Sequence, residues 1–307
     1  MSGDMLQALT KFYKEKRIYS CEFVCQHGDL CKAAANDVIT PEKKRITTKN
    51  LKAPPRHGRF TEAKSAYVGT EYEENKSGCR ILFLSLDPGS SEDCEDDPCQ
   101  RTPEAIRERV IEVLKRDVNS DSPEFPTWTH WYGTHLLAAR ILEAAGDPAS
   151  DLCKEVCAML DDPNADAKKR DEKLAQVTPY FAHANVVKCS ICRLGNAQAP
   201  DQMYRNCESY LEGELPVLKP DIVVTQGRHA ARALEEQFVH SAFDPYNHRL
   251  RYLTLNENKP KDVLWIQAFH PRNGVFRTEG GSKWGDFTAA ARDFMSRKRH
   301  RGGTNAG

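Results

Sequence analysis

Four runs of strand length are apolar almost throughout: Arg80 to Leu86 (RILFLSL), Phe181 to Val187 (FAHANVV), Asp221 to Thr225 (DIVVT) and Val263 to Phe269 (VLWIQAF). Helical spacing fills the intervals, as in Ile106, Val110, Val113 and Leu114 after Thr102-Pro103, and again in His135 to Ala145 (HLLAARILEAA). A strand buried on both faces loses the alternation of a half-exposed one, and helices between such strands serve as parallel crossovers. The pattern predicts an α/β fold, a three-layer α/β/α arrangement around a central, mostly parallel four-stranded sheet. Ligands collect beyond the carboxyl ends of such strands. The residues there are Asp87-Pro88-Gly89, Asn185, Gln226-Gly227 and His270-Pro271, so an acid, an amide and an imidazole are expected to face one crevice. Asn185 is a poor strand former beside Val186 and Val187, and a buried amide needs partners; one reading is that its partner is not protein.

The rest of the chain arranges itself around that sheet. Residues 1–78 are expected to hold an N-terminal helix (Met1 to Tyr19), a cysteine cluster and a long, partly extended basic loop. Residues 79–296 are expected to form the α/β domain, with a charged helical insertion on the surface at 151–176, and 297–307 a flexible basic tail. No run approaches a membrane span and the first residues are polar, which predicts a cytoplasmic protein.

Charge changes this picture little in total and more in distribution. Formal net charge is zero over 307 residues, with 39% hydrophobic and 29% charged, so no global field points to a nucleic acid. Yet Lys43 to Arg59 carries seven Lys or Arg and no acid, and Ser296 to Arg301 (SRKRHR) is basic too. Solvated loops explain such runs about as well as a binding surface does. Eleven cysteines in a chain with no secretion signal point to metal ligation rather than to a disulfide framework. Ten of them cluster as Cys21, Cys25 and Cys31; Cys94 and Cys99; Cys153 and Cys157; and Cys189, Cys192 and Cys207. Zinc favours paired Cys-x2-Cys knuckles, a form only Cys189 and Cys192 have, whereas an iron–sulfur cluster gathers thiolates from distant segments. Cys153 and Cys157, at helical spacing, are expected to be unligated.

Asn185-Val186-Val187-Lys188-Cys189, Cys207 in the following helix, and Gly227-Arg228-His229-Ala230-Ala231-Arg232-Ala233-Leu234 together resemble the iron–sulfur branch of the uracil-DNA glycosylase superfamily. Trp131-Tyr132-Gly133, followed by paired leucines, and His270-Pro271 look like further motifs of that family. The resemblance covers roughly Cys21 to Phe287. It implies a monofunctional glycosylase that flips a nucleotide out of DNA and hydrolyses its N-glycosidic bond. In that scheme Asp87 and His270 are catalytic; Asn185, Trp131 and Gly89 bind the base, with Trp128 or Tyr132 as substitutes for the stacking face. Ser90, Gly227, Arg272, Asn273 and Phe276 would contact DNA. A 4Fe-4S cluster, with zinc as the alternative, would be held by four of Cys21, Cys25, Cys31, Cys189 and Cys207. DNA is the implied partner, with neither a membrane nor a second protein required, and the chain is expected to be a monomer.

Departures from the family pattern leave the substrate open. The first motif reads Ser85-Leu86-Asp87-Pro88-Gly89 where the branch carries Gly-Glu-Ala-Pro-Gly, and its acid before proline resembles the enzymes named for excising uracil. The last motif continues Arg272-Asn273-Gly274 instead of with serine. Removal of a hydroxymethylated or glucosylated cytosine from phage DNA, as an antiviral defence, is the alternative activity. A non-catalytic DNA binder of the same fold is the rival class.

Overall fold

The computed structural model describes residues 4–16, 25–31, 33, 60–61, 63–86, 101–119, 126–146, 151–191, 201–256, 258, 262–270 and 280–303. In chain order the elements are α1 (Asp4–Glu15), β1 (Phe60–Thr61), β2 (Tyr67–Val68), α2 (Thr70–Glu73), β3 (Ile81–Ser85), α3 (Pro103–Asn119) and α4 (Pro126–Ala145). Then come α5 (Asp151–Asp161), α6 (Ala167–Ala175), β4 (Phe181–Asn185), β5 (Ser190–Ile191), α7 (Asp201–Leu218), β6 (Ile222–Gln226) and α8 (Arg228–Gln237). The chain closes with β7 (Val239–His240), β8 (Leu250–Thr254), β9 (Val263–Ala268) and α9 (Gly280–Gly303).

The four apolar runs form the parallel centre of the sheet, in the order β4-β3-β6-β9. The sheet does not stop there. Antiparallel β2 extends it beside β4, and β8 and β7 extend it beside β9, making seven strands. These additions escape a search for apolar runs because β2 and β7 have two residues each and β8 (LRYLT) is only partly buried. Side chains alternate across the pleat. Leu82, Leu84, Ala182, Ala184, Val223 and Trp265 face a core with α1, α7 and α8, while Ile81, Phe83, Phe181, Val224 and Ile266 face another with α4, α5 and α9. Every residue of β3, β4 and β6 is buried, as the continuous apolar pattern requires.

Four sequence expectations need correction. The segment before β3 is no plain loop: β2 and α2 bury Tyr67, Val68 and Tyr72, and the Tyr72 hydroxyl donates to Leu218 O at 2.8 Å. The second helix starts at Pro126 rather than at His135, so the aromatic stretch forms its first turns, a proline at the first helical position being pre-set for the helix. The 151–176 segment is two helices rather than a surface insertion, with Cys153, Val156 and Leu174 fully buried against α4. Its charges, which suggested the surface, lie on the outer side.

The basic tail is the fourth, since α9 continues through 297 to Gly303. Lys298 Nζ lies 2.6 Å from Asp221 Oδ1, Arg297 donates to the Tyr252 hydroxyl at 3.1 Å, and Arg299 caps the end of α4 by donating to Ala145 O at 3.1 Å. Cations at a helix C-terminus satisfy its orphan carbonyls. These contacts lie at the N-terminal ends of β6 and β9, the edge opposite His270. A chain ending at Ser296 is therefore expected to melt a few degrees lower, for a loss of roughly 1–2 kcal/mol. An unchanged melt would show that these contacts contribute nothing to stability. Among the described residues no helix is long and apolar enough to cross a membrane.

Candidate active site

At the carboxyl edge the parallel register puts Ser85 opposite Asn185 and carries on past the strand ends, with Val186 N–H donating to Ser85 O and Val187 N–H to Leu86 O at 2.8 Å. Asp87, Gly89 and Ser90 follow directly and lie outside the described residues, as do Arg272, Asn273, Phe276 and Cys21. Asn185 ends β4 only 8% exposed, and its Oδ1 has no hydrogen-bond partner among the described residues. A buried acceptor left unpaired costs about 1–3 kcal/mol, so the position asks for a donor from outside the described protein.

Gln226, at the end of β6, has the opposite fate. Ser85 Oγ donates to Gln226 Oε1 at 2.8 Å, and Gln226 Nε2 donates to Thr134 Oγ1 at 2.6 Å. With the Ser85 proton committed, His183 Nε2 at 2.9 Å is the donor to the serine oxygen, which fixes the imidazole tautomer. Gln226 is thus an internal tie across three strands and α4, and does not face a ligand. Sequence reasoning had no view of Ser85, His183 or Thr134; polar residues inside the apolar runs of β3 and β4, at Ser85 and His183, are the signal that was there to be read, while Thr134 reaches the site from α4.

Trp131 is half-buried on α4. Its ring stacks on Phe181 with centroids 6.1 Å apart, tilts onto His183 at 4.9 Å, and meets Tyr67 and His135 edge-on. His135 Nδ1 donates to Trp131 O at 2.8 Å, and Nε2 lies 2.7 Å from Thr178 Oγ1. Trp131 therefore serves the core on most of its surface. Tyr132 is also half-buried, with Arg170 6.0 Å from its ring centre.

Burial holds both histidines neutral, His183 down to about 3, with the charges of Lys188 and His135 adding to the effect, and His135 down to about 4. An unfolded histidine titrates near 6.5. Between these values the unfolded chain binds protons that the folded chain refuses, so stability is full above about pH 6.5 and is lost as pH falls. The expected slope is about 1.4 kcal/mol per pH unit for each histidine. Denaturant melts at pH 7 and 5.5 check this: the wild-type chain loses stability and His183→Leu loses less, whereas a flat wild-type profile would contradict it.

His270 follows β9, is exposed, and stands over the start of α8. Gly227 there has φ +102°, a region that penalises side chains, and a β-carbon at this position would sit 3.7 Å from His270 Cβ. Gly227 N–H donates to Ala268 O at 3.0 Å, tying the turn to the end of β9.

On the other face, Cys25, Cys31, Cys189 and Cys207 are all at most 2% exposed in one core, and none forms a disulfide. Cys189 hydrogen-bonds to Cys25 and Cys31, and those bonds come before burial and the charge of Cys207 in holding its thiol far up. Burial pushes Cys207 up to about 12. Three polar groups address the sulfurs: Lys188 N–H donates to Cys207 Sγ at 3.4 Å, Asn206 Nδ2 donates to Cys31 Sγ at 3.2 Å, and the Tyr210 hydroxyl lies 3.1 Å from Cys25 Sγ. Among the described residues no set of three or more His, Cys, Asp or Glu is gathered at ligand spacing as it stands. The donor chemistry nevertheless suits a thiolate-bound cluster: four soft ligands from three distant segments, with N–H donors aimed at sulfur. Cys79, Cys153 and Cys157 are buried away from this group and form no disulfide among the described residues.

The family model of the uracil DNA glycosylase superfamily matches residues 73–293. No curated protein matches the chain. The matched span holds the whole parallel centre, Asn185, Gly227 and His270, together with Cys189 and Cys207; Cys25 and Cys31 precede it. With more than half of its length matched, and with the sheet and strand ends described above, the chain belongs to the uracil DNA glycosylase superfamily.

Proposed function

We propose that this protein is a monofunctional DNA glycosylase that hydrolyses the N-glycosidic bond of a flipped-out uracil or modified pyrimidine and leaves an abasic site. The observation that carries the proposal is Asn185: a buried amide oxygen without a partner among the described residues, at the same sheet edge as His270, in a chain of this superfamily. A flipped pyrimidine is read through hydrogen bonds to its pairing edge. Its ring N–H would satisfy Asn185 Oδ1, and the partly exposed rim of Trp131 would close the pocket wall.

As the bond breaks, the sugar gains positive charge and the departing base gains negative charge, spread from its ring nitrogen onto a carbonyl oxygen. Asp87 answers the first charge and orients the attacking water, taking its proton as the new C–O bond forms. His270 donates a hydrogen bond to the base oxygen that receives the electron pair. Gly89, Ser90, Gly227, Arg272, Asn273 and Phe276 would hold the strand or fill the vacated stack.

Cys25, Cys31, Cys189 and Cys207 would hold a 4Fe-4S cluster, which supplies a structural cross-link rather than a reacting group. The four sulfurs then tie the N-terminal segment and α7 to the loop after β4. Brown, anaerobically purified protein with about four iron and four sulfide per chain is expected for such a cluster. A colourless preparation with stoichiometric zinc would defeat it. For the activity, abasic-site formation is measured on oligonucleotides carrying uracil, hydroxymethylcytosine or glucosylated cytosine. Product from uracil supports the leading reading, product from the modified cytosines alone supports phage-DNA cleavage, and no product from any of them leaves a non-catalytic binder.

A further inference from the structure

Beyond β9 the sheet edge carries a second projecting element. β8 runs antiparallel to β9 with Leu250 opposite Ile266, so the 241–249 loop that precedes it emerges where β9 gives way to Phe269 and His270. The loop is tied down at every turn. Asp244 N–H donates to Leu250 O at 2.9 Å and Leu250 N–H to Asn247 O at 3.0 Å, while the Asp244 carboxylate accepts from Tyr246 N–H and Asn247 N–H at 2.9 and 3.1 Å. Arg249 clamps it to the catalytic strand: its guanidinium lies 3.7 Å over the Phe269 ring and donates to Gln267 O, and Gln267 N–H donates back to Arg249 O at 2.8 Å. Arg251 stacks 3.4 Å over Phe243 beneath the tip.

At that tip Tyr246 is 95% exposed. A lone exposed apolar side chain is ordinary on a protein surface. This one differs in standing on an ordered turn at the edge where the base is proposed to be excised. The one acidic side chain of the loop is occupied by backbone N–H groups, and cationic Arg249 stacks on Phe269, the residue before His270. We propose that Tyr246 is a stacking platform for an unpaired base flanking the flipped nucleotide, and that the enzyme therefore favours DNA that is single-stranded on that side. This rests on the glycosylase reading above.

The spacing fits. Neighbouring strands lie about 4.8 Å apart, which puts the loop roughly 5–10 Å outboard of β9, and successive nucleotides are about 3.4 Å apart when stacked and farther when extended. The base at Tyr246 is thus a few nucleotides from the excised one, which the proposal sets between His270 and Asn185. In a duplex the faces of the bases are covered by their neighbours, whereas a single strand offers them to an aromatic ring. A ring whose backbone is already fixed gives up little freedom on binding.

The test is equilibrium binding of the full chain to a single strand and to its duplex, each with a central tetrahydrofuran abasic analogue that does not depend on the base. Tyr246→Ala is expected to weaken single-strand binding about tenfold, to leave duplex binding within about twofold, and to leave the melt unchanged; Tyr246→Phe is expected to bind like wild type. Equal losses on both substrates, or no loss on the single strand, would overturn the platform while leaving the glycosylase reading intact. A wild-type chain that binds neither substrate and yields no abasic sites would remove that reading, and the platform with it.

Discussion

With His270 replaced by alanine, single-turnover formation of abasic sites is expected to slow about 10²–10³-fold, the usual consequence of losing one preorganised donor to a developing negative charge. Asp87→Ala is expected to cost a similar factor by removing the counter-charge to the sugar. The two losses should not multiply, because both residues serve one transition state. His270 is exposed and belongs to neither core, so the alanine chain should melt as wild type does. That contrast separates chemistry from folding. Undiminished product from either variant would show that the reacting groups lie elsewhere.

The second large effect is on stability. Lys188 and Glu214 are both fully buried, 2.5 Å apart, and Glu214 also accepts from the Tyr13 hydroxyl, which in turn accepts from Ala66 N–H. The network binds α1, the segment before β2, the loop after β4 and α7 into one unit beside the four thiols. Removing one partner of a buried pair strands the other charge and costs about 3–5 kcal/mol. Glu214→Ala is therefore expected to melt about 10 °C lower or to fail to fold. Replacing both partners with apolar residues, Lys188→Met with Glu214→Leu, is expected to recover most of the loss, since a matched apolar pair carries no desolvation penalty. A single variant as stable as wild type would mean that the pair contributes nothing.

Much of the site was legible before any coordinates. Continuous apolar runs with helices between them require a sheet covered on both faces, and parallel strands bring their carboxyl ends to one edge whatever the distance along the chain. That reasoning brought Asn185, Gln226 and His270 together, and the thiols of Cys25, Cys31, Cys189 and Cys207 also meet. It could not separate Asn185 from Gln226. Both are amides at strand ends; one is tied to Ser85, 141 positions away, and to Thr134, 92 away, while the other keeps an oxygen that no described residue pairs with.

What the amino-acid order determined alone, then, is the parallel centre and its polar edge, because these depend on local pattern and on the rule that parallel strands share an edge; among the thiols it left four of Cys21, Cys25, Cys31, Cys189 and Cys207 open. Only the tertiary structure decided which buried polar groups are satisfied: the neutral His183 and His135, the Lys188–Glu214 pair, and the basic end of α9 clamped to Asp221 rather than free in solvent. It also decided that the sheet runs on into β8 and β7 and so carries the Tyr246 loop to the carboxyl edge of the sheet, where β9 gives way to His270. Hydrogen bonds and ion pairs are made by whatever the fold brings within about 3 Å, and for these residues the partner is seldom near in sequence.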